Sequence, residues 1–252
     1  MTCAIMQPTY LPWLGYFDLI DQVDKFVFLD DVQLVKRSWM VRNRIKTDQG
    51  PLFLTIPVQK TESRDNQLII NTEIDDIQNW KIKHLRSIHR AYTHSDHFDN
   101  VFAFIEELIS EGPSNLASFN MNIIIRIAEK INIENAIFRS SELDNQNHRK
   151  DDKLLKICQI LQCDTYISPQ GSSSYLEKNT PGGAFGKSKI ALYYMNYEHP
   201  IYPQLFGEFI SHMCIIDLLF NVGFEKALEI IRSGRRTNYF YTEFRKNILH
   251  IS

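Results

Sequence analysis

The sequence predicts an α/β protein: a mostly parallel, Rossmann-like sheet with helices on both faces and a helical insertion or lobe. Three observations carry this. Residues 3–29 read as strand, loop, helix and strand, the pattern of a βαβ unit. Strand-like and helix-like runs alternate again between residues 136 and 195. From Trp80 to Ile131 the apolar residues instead recur with a 3.6-residue period that fits three consecutive helices.

The opening apolar run, Cys3 to Met6, ends at Gln7-Pro8, as a strand does before a loop. After Pro12, Leu14, Phe17, Leu19, Ile20 and Val23 follow a helical pattern up to the next apolar burst, Phe26 to Leu29. The loop Gln7 to Gly15, with Tyr10 and Trp13, therefore opens at the carboxyl end of the first strand, where open α/β sheets bind ligands. The second strand ends in Asp30-Asp31-Val32-Gln33, which puts two carboxylates and an amide at the same edge. Lys36 to Arg44 then holds four cations in nine residues, interrupted by Trp39 and Asn43. Such a segment suits a planar ring beside a phosphate; the alternative is a solvated basic ribbon.

Leu52 to Val58 reads as a buried strand, residues 59–66 as a polar loop, and Leu68 to Ile70 as a short strand. The first helix of the insertion shows Trp80, Ile82, Leu85, Ile88 and Tyr92 on one face. The second carries Phe98 to Ile109 and stops at Gly112-Pro113, and Ser114 is a candidate N-cap for the third. Strands follow at Ala136–Phe138, Asp164–Ser168 and Ile190–Met195, with a helix at Asp151–Leu161, a short one from Ser172 and an irregular polar stretch at Ser140–Lys150. Cys214–Phe220 and Glu225–Ile231 form closing helices separated by Gly223. The domain plan is one α/β domain over residues 1–232 with its helical insertion at about 78–132, then a basic, aromatic tail over 233–252 that would serve as a docking arm.

Composition narrows the function. Hydrophobic residues make up 44% and charged residues 23% of the 252, an ordinary globular mix. A net charge of -2 argues against broad nucleic-acid or membrane-surface binding and makes the basic segment a local feature. The amino terminus carries too short an apolar run for a signal peptide and no run approaches the roughly 20 residues of a membrane span, so a cytoplasmic protein without membrane insertion is expected. Four cysteines, without zinc-site partners, read as reduced core thiols.

Two later segments carry chemistry. Tyr166 to Leu176 is a strand, a turn rich in glycine and hydroxyls, and a helix start. Its Ser168, Gly171, Ser172 and Tyr175 could hold a phosphate or carboxylate, or simply form an N-capping cluster. Thr180 to Lys189 is glycine-rich but follows no strand, which favours a surface loop over a phosphate cradle. Among eight histidines none forms a strong metal motif, and no metal is assigned; His94 and His97 fit a helix-to-helix link better. His84 sits on the Trp80 helix within reach of a pocket, and Asp217, inside an apolar run, calls for a partner such as an arginine.

Taken jointly, QPTYLPWLGYFDLI, DKFVFLDDVQ, WMVRNRI, KLLKICQILQCDTYISPQGSSSYLE and SHMCIIDLLFNVG resemble the WbqC-like family over most of residues 3–223. That family resembles proteins encoded with bacterial surface-polysaccharide genes, notably those for amino sugars. Pro169-Gln170-Gly171 departs from the glycine expected after the Tyr-Ile-Ser strand. A second, more distant resemblance links Pro8 to Ile20 with the first βα loop of the nucleotidyltransferase superfamily that includes the pantoate–β-alanine ligases. There, Trp13-Leu14-Gly15-Tyr16 stands where the family has His-x-Gly-His, so the glycine remains and both imidazoles are replaced by aromatics.

The resemblance points to surface-polysaccharide biosynthesis without fixing one reaction, and the first reading is a transferase that forms an amide, by N-acyl or aminoacyl transfer, on a nucleotide-linked amino sugar of O-antigen or surface-polysaccharide biosynthesis. Its partners would be the nucleotide-linked sugar and an acyl donor, with acyl thioester or ATP left open as cofactor and a homodimer admitted. Arg42, Arg44 and Lys36 are then candidates for a diphosphate clamp, and Trp13, Tyr16 and Trp39 for a platform, with Tyr10, Gly15 and Gln33 beside them. Asp30, Asp31 or His84 would take the proton, Gln7 and Asn43 would orient polar groups, and Ser168 to Ser174 would receive the donor. An ATP-dependent adenylating ligase and a non-catalytic sugar-nucleotide-binding module are the alternatives.

Overall fold

Strand β1, Thr2–Met6, lies inside the sheet because residues on both of its faces are buried: Ala4 joins one hydrophobic cluster, while Cys3 and Ile5 join another. Strand β2, Lys25–Phe28, repeats the division, with Phe26 and Phe28 on the first side and Val27 on the second. That two-residue alternation between two apolar layers is what a sheet covered on both faces requires. The computed structural model describes residues 1–35, 37–59, 67–145, 148–178 and 180–251.

Helix α1, Leu14–Asp21, joins the first two strands, which pair in parallel from Cys3↔Lys25 to Met6↔Phe28. A hairpin of β3, Arg42–Thr47, and β4, Gly50–Thr55, forms a separate antiparallel sheet. Helices α2, Trp80–Tyr92, α3, Phe98–Glu111, and α4, Leu116–Lys130, follow one another as expected. Then come β5, Ala136–Arg139, α5, Lys150–Ile160, β6, Thr165–Ser168, α6, Ser173–Leu176, and β7, Ala191–Tyr194. The chain closes with α7, Ile215–Ser233, β8, Tyr239–Phe240, and α8, Tyr241–Asn247. The main sheet has the order β5-β2-β1-β6-β7-β8 and is parallel except for β8 on β7. The insertion helices and α7 pack on the Ala4 side, and α5 with α8 on the Cys3 side.

Several local expectations are corrected. The basic segment does not end in an open ribbon: Arg42 to Arg44 begins β3, whose Asn43 and Ile45 point inward and whose arginines take the other face. The partner strand stops at Thr55, and its Leu52 and Phe53 are exposed. Residues Ile69–Asn71 form a 3-10 turn instead of a strand. On α2 the buried face includes His84 in place of Ile82, which is exposed. Asn115, not Ser114, caps α4, its side chain accepting the Ser118 amide hydrogen at 3.1 Å. Gly223, at φ 78° and ψ 171°, breaks α7 where the sequence separates two helices. Residues beyond 232 are not a free arm: β8 extends the sheet and Phe244 is buried against Tyr194. Most of the expected 59–66 loop, and residues 146 and 147 of the polar stretch before α5, lie outside the described residues.

Candidate functional site

Strands are added outward from β1 in two directions, β2 and β5 on one side and β6 and β7 on the other. The reversal falls between β1 and β6, whose ladder forms at Thr2↔Thr165 and Cys3↔Tyr166, whereas β1 and β2 stay paired through Met6. Crevices at such a switch, outside the carboxyl ends, are where open α/β sheets take their ligands.

A cavity of about 270 Å³ opens at the carboxyl end of β1, and no residue of β6 lines it. Met6, at the end of β1, and Thr9 and Pro12 from the following loop line its base, and Trp13 and Tyr16 its wall. Trp39, Asn43, Arg44 and His212 complete it. The loop keeps its shape through side chains from other elements. Asn43 donates to the carbonyls of Tyr10, at 3.1 Å, and Leu11, at 2.8 Å, while Asn120 of α4 donates to those of Pro8, at 3.1 Å, and Met40, at 2.8 Å. The Tyr10 amide donates to the Trp39 carbonyl at 2.9 Å, so the loop after β1 and the approach to β3 form one unit. Leu11 sits at φ 42°, a left-handed turn that this stitching holds in place. Gly15 is required by its neighbour: a Cβ there would come within 2.3 Å of the Trp13 ring. The Tyr16 hydroxyl donates to the Gln7 carbonyl at 3.0 Å.

The cavity is aromatic on one side and cationic on the other. Trp13 stacks on His212 at 5.1 Å and meets Tyr197 edge-on at 5.5 Å. Trp39 is half exposed and stacks at 6.2 Å on Phe53, which also carries the Arg42 guanidinium at 4.7 Å. Arg44 Nε donates to the His212 carbonyl at 3.2 Å.

The other sequence candidates lie elsewhere. Asp30 is fully buried, accepting from the Ser141 amide at 3.0 Å and hydroxyl at 2.8 Å, with Arg139 at 3.6 Å. Asp31 is held by Lys153 Nζ and by the Ser140 hydroxyl, each at 2.5 Å. His84 is buried beneath the loop, its Nδ1 at 3.0 Å from the Tyr10 hydroxyl and its Nε2 at 3.2 Å from the Thr55 carbonyl. A carbonyl only accepts, so Nε2 carries the proton and Nδ1 accepts from Tyr10; burial lowers its pKa to about 4. Ser168 and Ser172 bond each other, and Ser172 donates to the Pro169 carbonyl at 2.7 Å, so those hydroxyls cap their own turn. Neither they nor Gly171 and Tyr175 line the cavity. Gln33 bridges to Leu68, and Lys36 lies outside the described residues. In the glycine-rich loop, the amides of Gly182 and Ala184 donate to Glu177 and Asp151, so internal carboxylates already occupy them.

Residues that the sequence did not single out complete the arrangement. His212 and His199 arrive on the segment 196–213, which is tied down through Asp217. That carboxylate is buried without the expected arginine. It accepts from Tyr92 at 2.8 Å, Tyr202 at 2.9 Å and Gln204 at 2.7 Å, and burial raises its pKa. Lys46 donates instead to the Glu208 carbonyl of the same segment at 2.6 Å. The odd polarity of Asp217 was visible in the sequence; the residues it would gather were not. A larger cavity, about 760 Å³, opens beside the break in α7, but no strand or strand-end residue contributes to it. All four cysteines are free and buried. Among the described residues no group of three His, Cys, Asp or Glu side chains suits a metal ion, and no helix is long and apolar enough to cross a membrane.

A mostly parallel sheet covered on both faces defines a Rossmann-like α/β protein, with a cavity at the carboxyl end of β1. The chain belongs to the WbqC-like protein family, whose model matches residues 7–229. It is 34% identical over 224 residues to uncharacterized protein Rv1507c of Mycobacterium tuberculosis (strain ATCC 25618 / H37Rv), covering 88% of this chain and 94% of that one. No solved structure gives a significant match.

Proposed function

We propose that this chain is a transferase that forms an amide at the amine of a nucleotide-linked sugar in bacterial surface-polysaccharide biosynthesis. The observation that carries this reading is the cavity after β1 with its exposed aromatic and cationic rim. Its volume of about 270 Å³ falls at the small end of ligand pockets and suits one sugar ring, not a whole sugar nucleotide. The nucleotide then lies outside, where Trp39 and Phe53 offer a ring face and Arg42 and Arg44 offer charge to a diphosphate. The acyl donor meets the amine at the mouth of that cavity. A nucleotidyl-transfer reading is less well supported, because Asp30 and Asp31, the carboxylates it would use for a divalent cation, are engaged by Ser140, Ser141 and Lys153.

A thermal-shift panel of nucleotide-linked amino sugars, ATP and acyl thioesters tests the reading, since a ligand raises the midpoint by mass action. Amino-sugar nucleotides should raise it and ATP alone should not. Arg42→Ala should weaken their binding at least about tenfold while leaving the unliganded midpoint within about 1 °C. A panel in which only ATP shifts the protein would sink the proposal, and binding without product after long incubation with donors would leave a non-catalytic module.

A further inference from the structure

His212 lines the cavity with one ring nitrogen uncommitted. Its Nδ1 lies 2.9 Å from Ser211 Oγ, while Nε2 has no hydrogen-bond partner among the described residues. The backbone is fixed around it. Arg44 bonds the carbonyls of His212, at 3.2 Å, and Ser211, at 3.4 Å, and the next amide but one, that of Cys214, returns to the Arg44 carbonyl at 3.0 Å. The residue stands at φ 60°, a left-handed conformation that is unfavourable for a non-glycine residue. Strain of this kind persists where the surroundings over-determine it.

His199 packs behind it, the ring centroids 4.8 Å apart, and also stacks on Trp13. His199 Nδ1 is 3.0 Å from the Pro200 carbonyl, which fixes the proton on Nδ1 and leaves the buried Nε2 as a lone pair without a donor among the described residues. Indole and two imidazoles thus form one packed group at the cavity wall.

We propose that His212 Nε2 is the group that takes the proton from the attacking amine, with His199 and Ser211 as positioning residues; this rests on the transferase reading above. The sugar amine arrives as an ammonium ion, and Nε2 accepts one proton from it. The freed lone pair attacks the carbonyl carbon of an acyl thioester, so a carbon–nitrogen bond forms as the carbon–sulfur bond breaks. The leaving thiolate takes the proton held on His212 and departs as a thiol, and the second proton lost by nitrogen passes to water. Ammonium and thioester give amide, thiol and one free proton.

The surroundings keep the imidazole neutral, and Nε2 carries the lone pair in the tautomer whose Nδ1–H donates to Ser211 Oγ. Burial first, and then the Arg44 charge, lower the His212 pKa, and burial holds His199 at about 4, so the two rings do not compete for a proton. Among the described residues, the groups that face His212 are Arg44 of β3, His199 and Ser211 of its own segment, and Trp13 and Tyr16 across the cavity; none of these is a carboxylate.

His212→Asn is the informative variant, because asparagine tolerates left-handed backbone and has no basic nitrogen. The probes are UDP-glucosamine and a dTDP-linked 4-amino-4,6-dideoxyhexose, each with acetyl-coenzyme A. The wild-type chain should form the N-acetyl product with kcat falling on the acid side. His212→Asn should keep its KM and melting midpoint, lose about 10²–10⁴-fold in kcat, and recover part of it with added imidazole. Activity within about threefold of wild type, or a loss that imidazole cannot restore, overturns the role of His212 while leaving the transferase reading standing. A wild-type chain that neither binds nor acylates any probe overturns both.

Discussion

The carboxyl ends of β1 and β2 lie side by side in one register, Met6 opposite Phe28, and the chain uses them in opposite ways. Beyond β2, Asp30 and Asp31 turn inward and are consumed by Ser140, Ser141, Arg139 and Lys153 from β5, α5 and the residues between them. Beyond β1, none of the described residues lining the cavity is a carboxylate; Trp13, Tyr16 and Trp39 leave it open, and two buried asparagines hold its loop. The pair shows that position at a strand end does not by itself make a site. A buried carboxylate must be paired, and once paired it stabilises the joint it spans and has little left for a ligand. Aromatic rings need no partner of that kind and can face a ligand.

That contrast can be broken by experiment, and the largest effect should come from β2. Asp30→Ala leaves two serine donors and Arg139 without their acceptor, and should lower the unfolding free energy by about 3–5 kcal/mol in urea titrations. Sugar-nucleotide affinity should stay within about twofold; lost affinity at full stability would instead make Asp30 a ligand residue. The support beneath the β1 loop should respond to acid. The folded-state pKa of His84 is depressed from its ordinary 6.5 to about 4, so its contribution is fully present above pH 6.5 and is lost as pH falls toward 4. The loss is on the order of 3 kcal/mol, and His84→Gln should flatten the stability profile in that window alone. The smallest effect on stability should come from Trp39→Ala. This half-exposed ring should be removable at a cost within about 0.5 kcal/mol, while affinity for a nucleotide-linked sugar drops on the order of 10-fold to 100-fold in calorimetry. A large fall in midpoint would return Trp39 to the scaffold.

The reach of the sequence differed between these regions for a physical reason. Apolar spacing in Cys3 to Leu29 reports burial along one stretch of chain, and it marked β1, α1 and β2 to within a residue or two. The same logic placed the loop after β1 and its Trp13 and Tyr16, and the joint pattern of motifs pointed to the family that the comparison bears out. It misplaced Ile82 and His84 because a histidine that bridges Tyr10 and Thr55 is polar in composition and buried in fact. Arg42 to Arg44 looked like a basic loop because alternation with Asn43 reads as polar throughout, although the asparagine is committed to the carbonyls of Tyr10 and Leu11.

The chain alone therefore determined the α/β architecture, the opening βαβ unit and the membership of the WbqC-like family, since each is written in local periodicity or in a contiguous motif. Only the tertiary structure decided which polar groups remain open. Asp30 meets Ser140 across 110 residues, Asn120 meets Pro8 across 112, and Tyr92 meets Asp217 across 125. Those pairings depend on how distant elements stack, and Asp217, which also bonds Tyr202 and Gln204, helps hold the segment that brings His199 and His212 to the wall of the cavity.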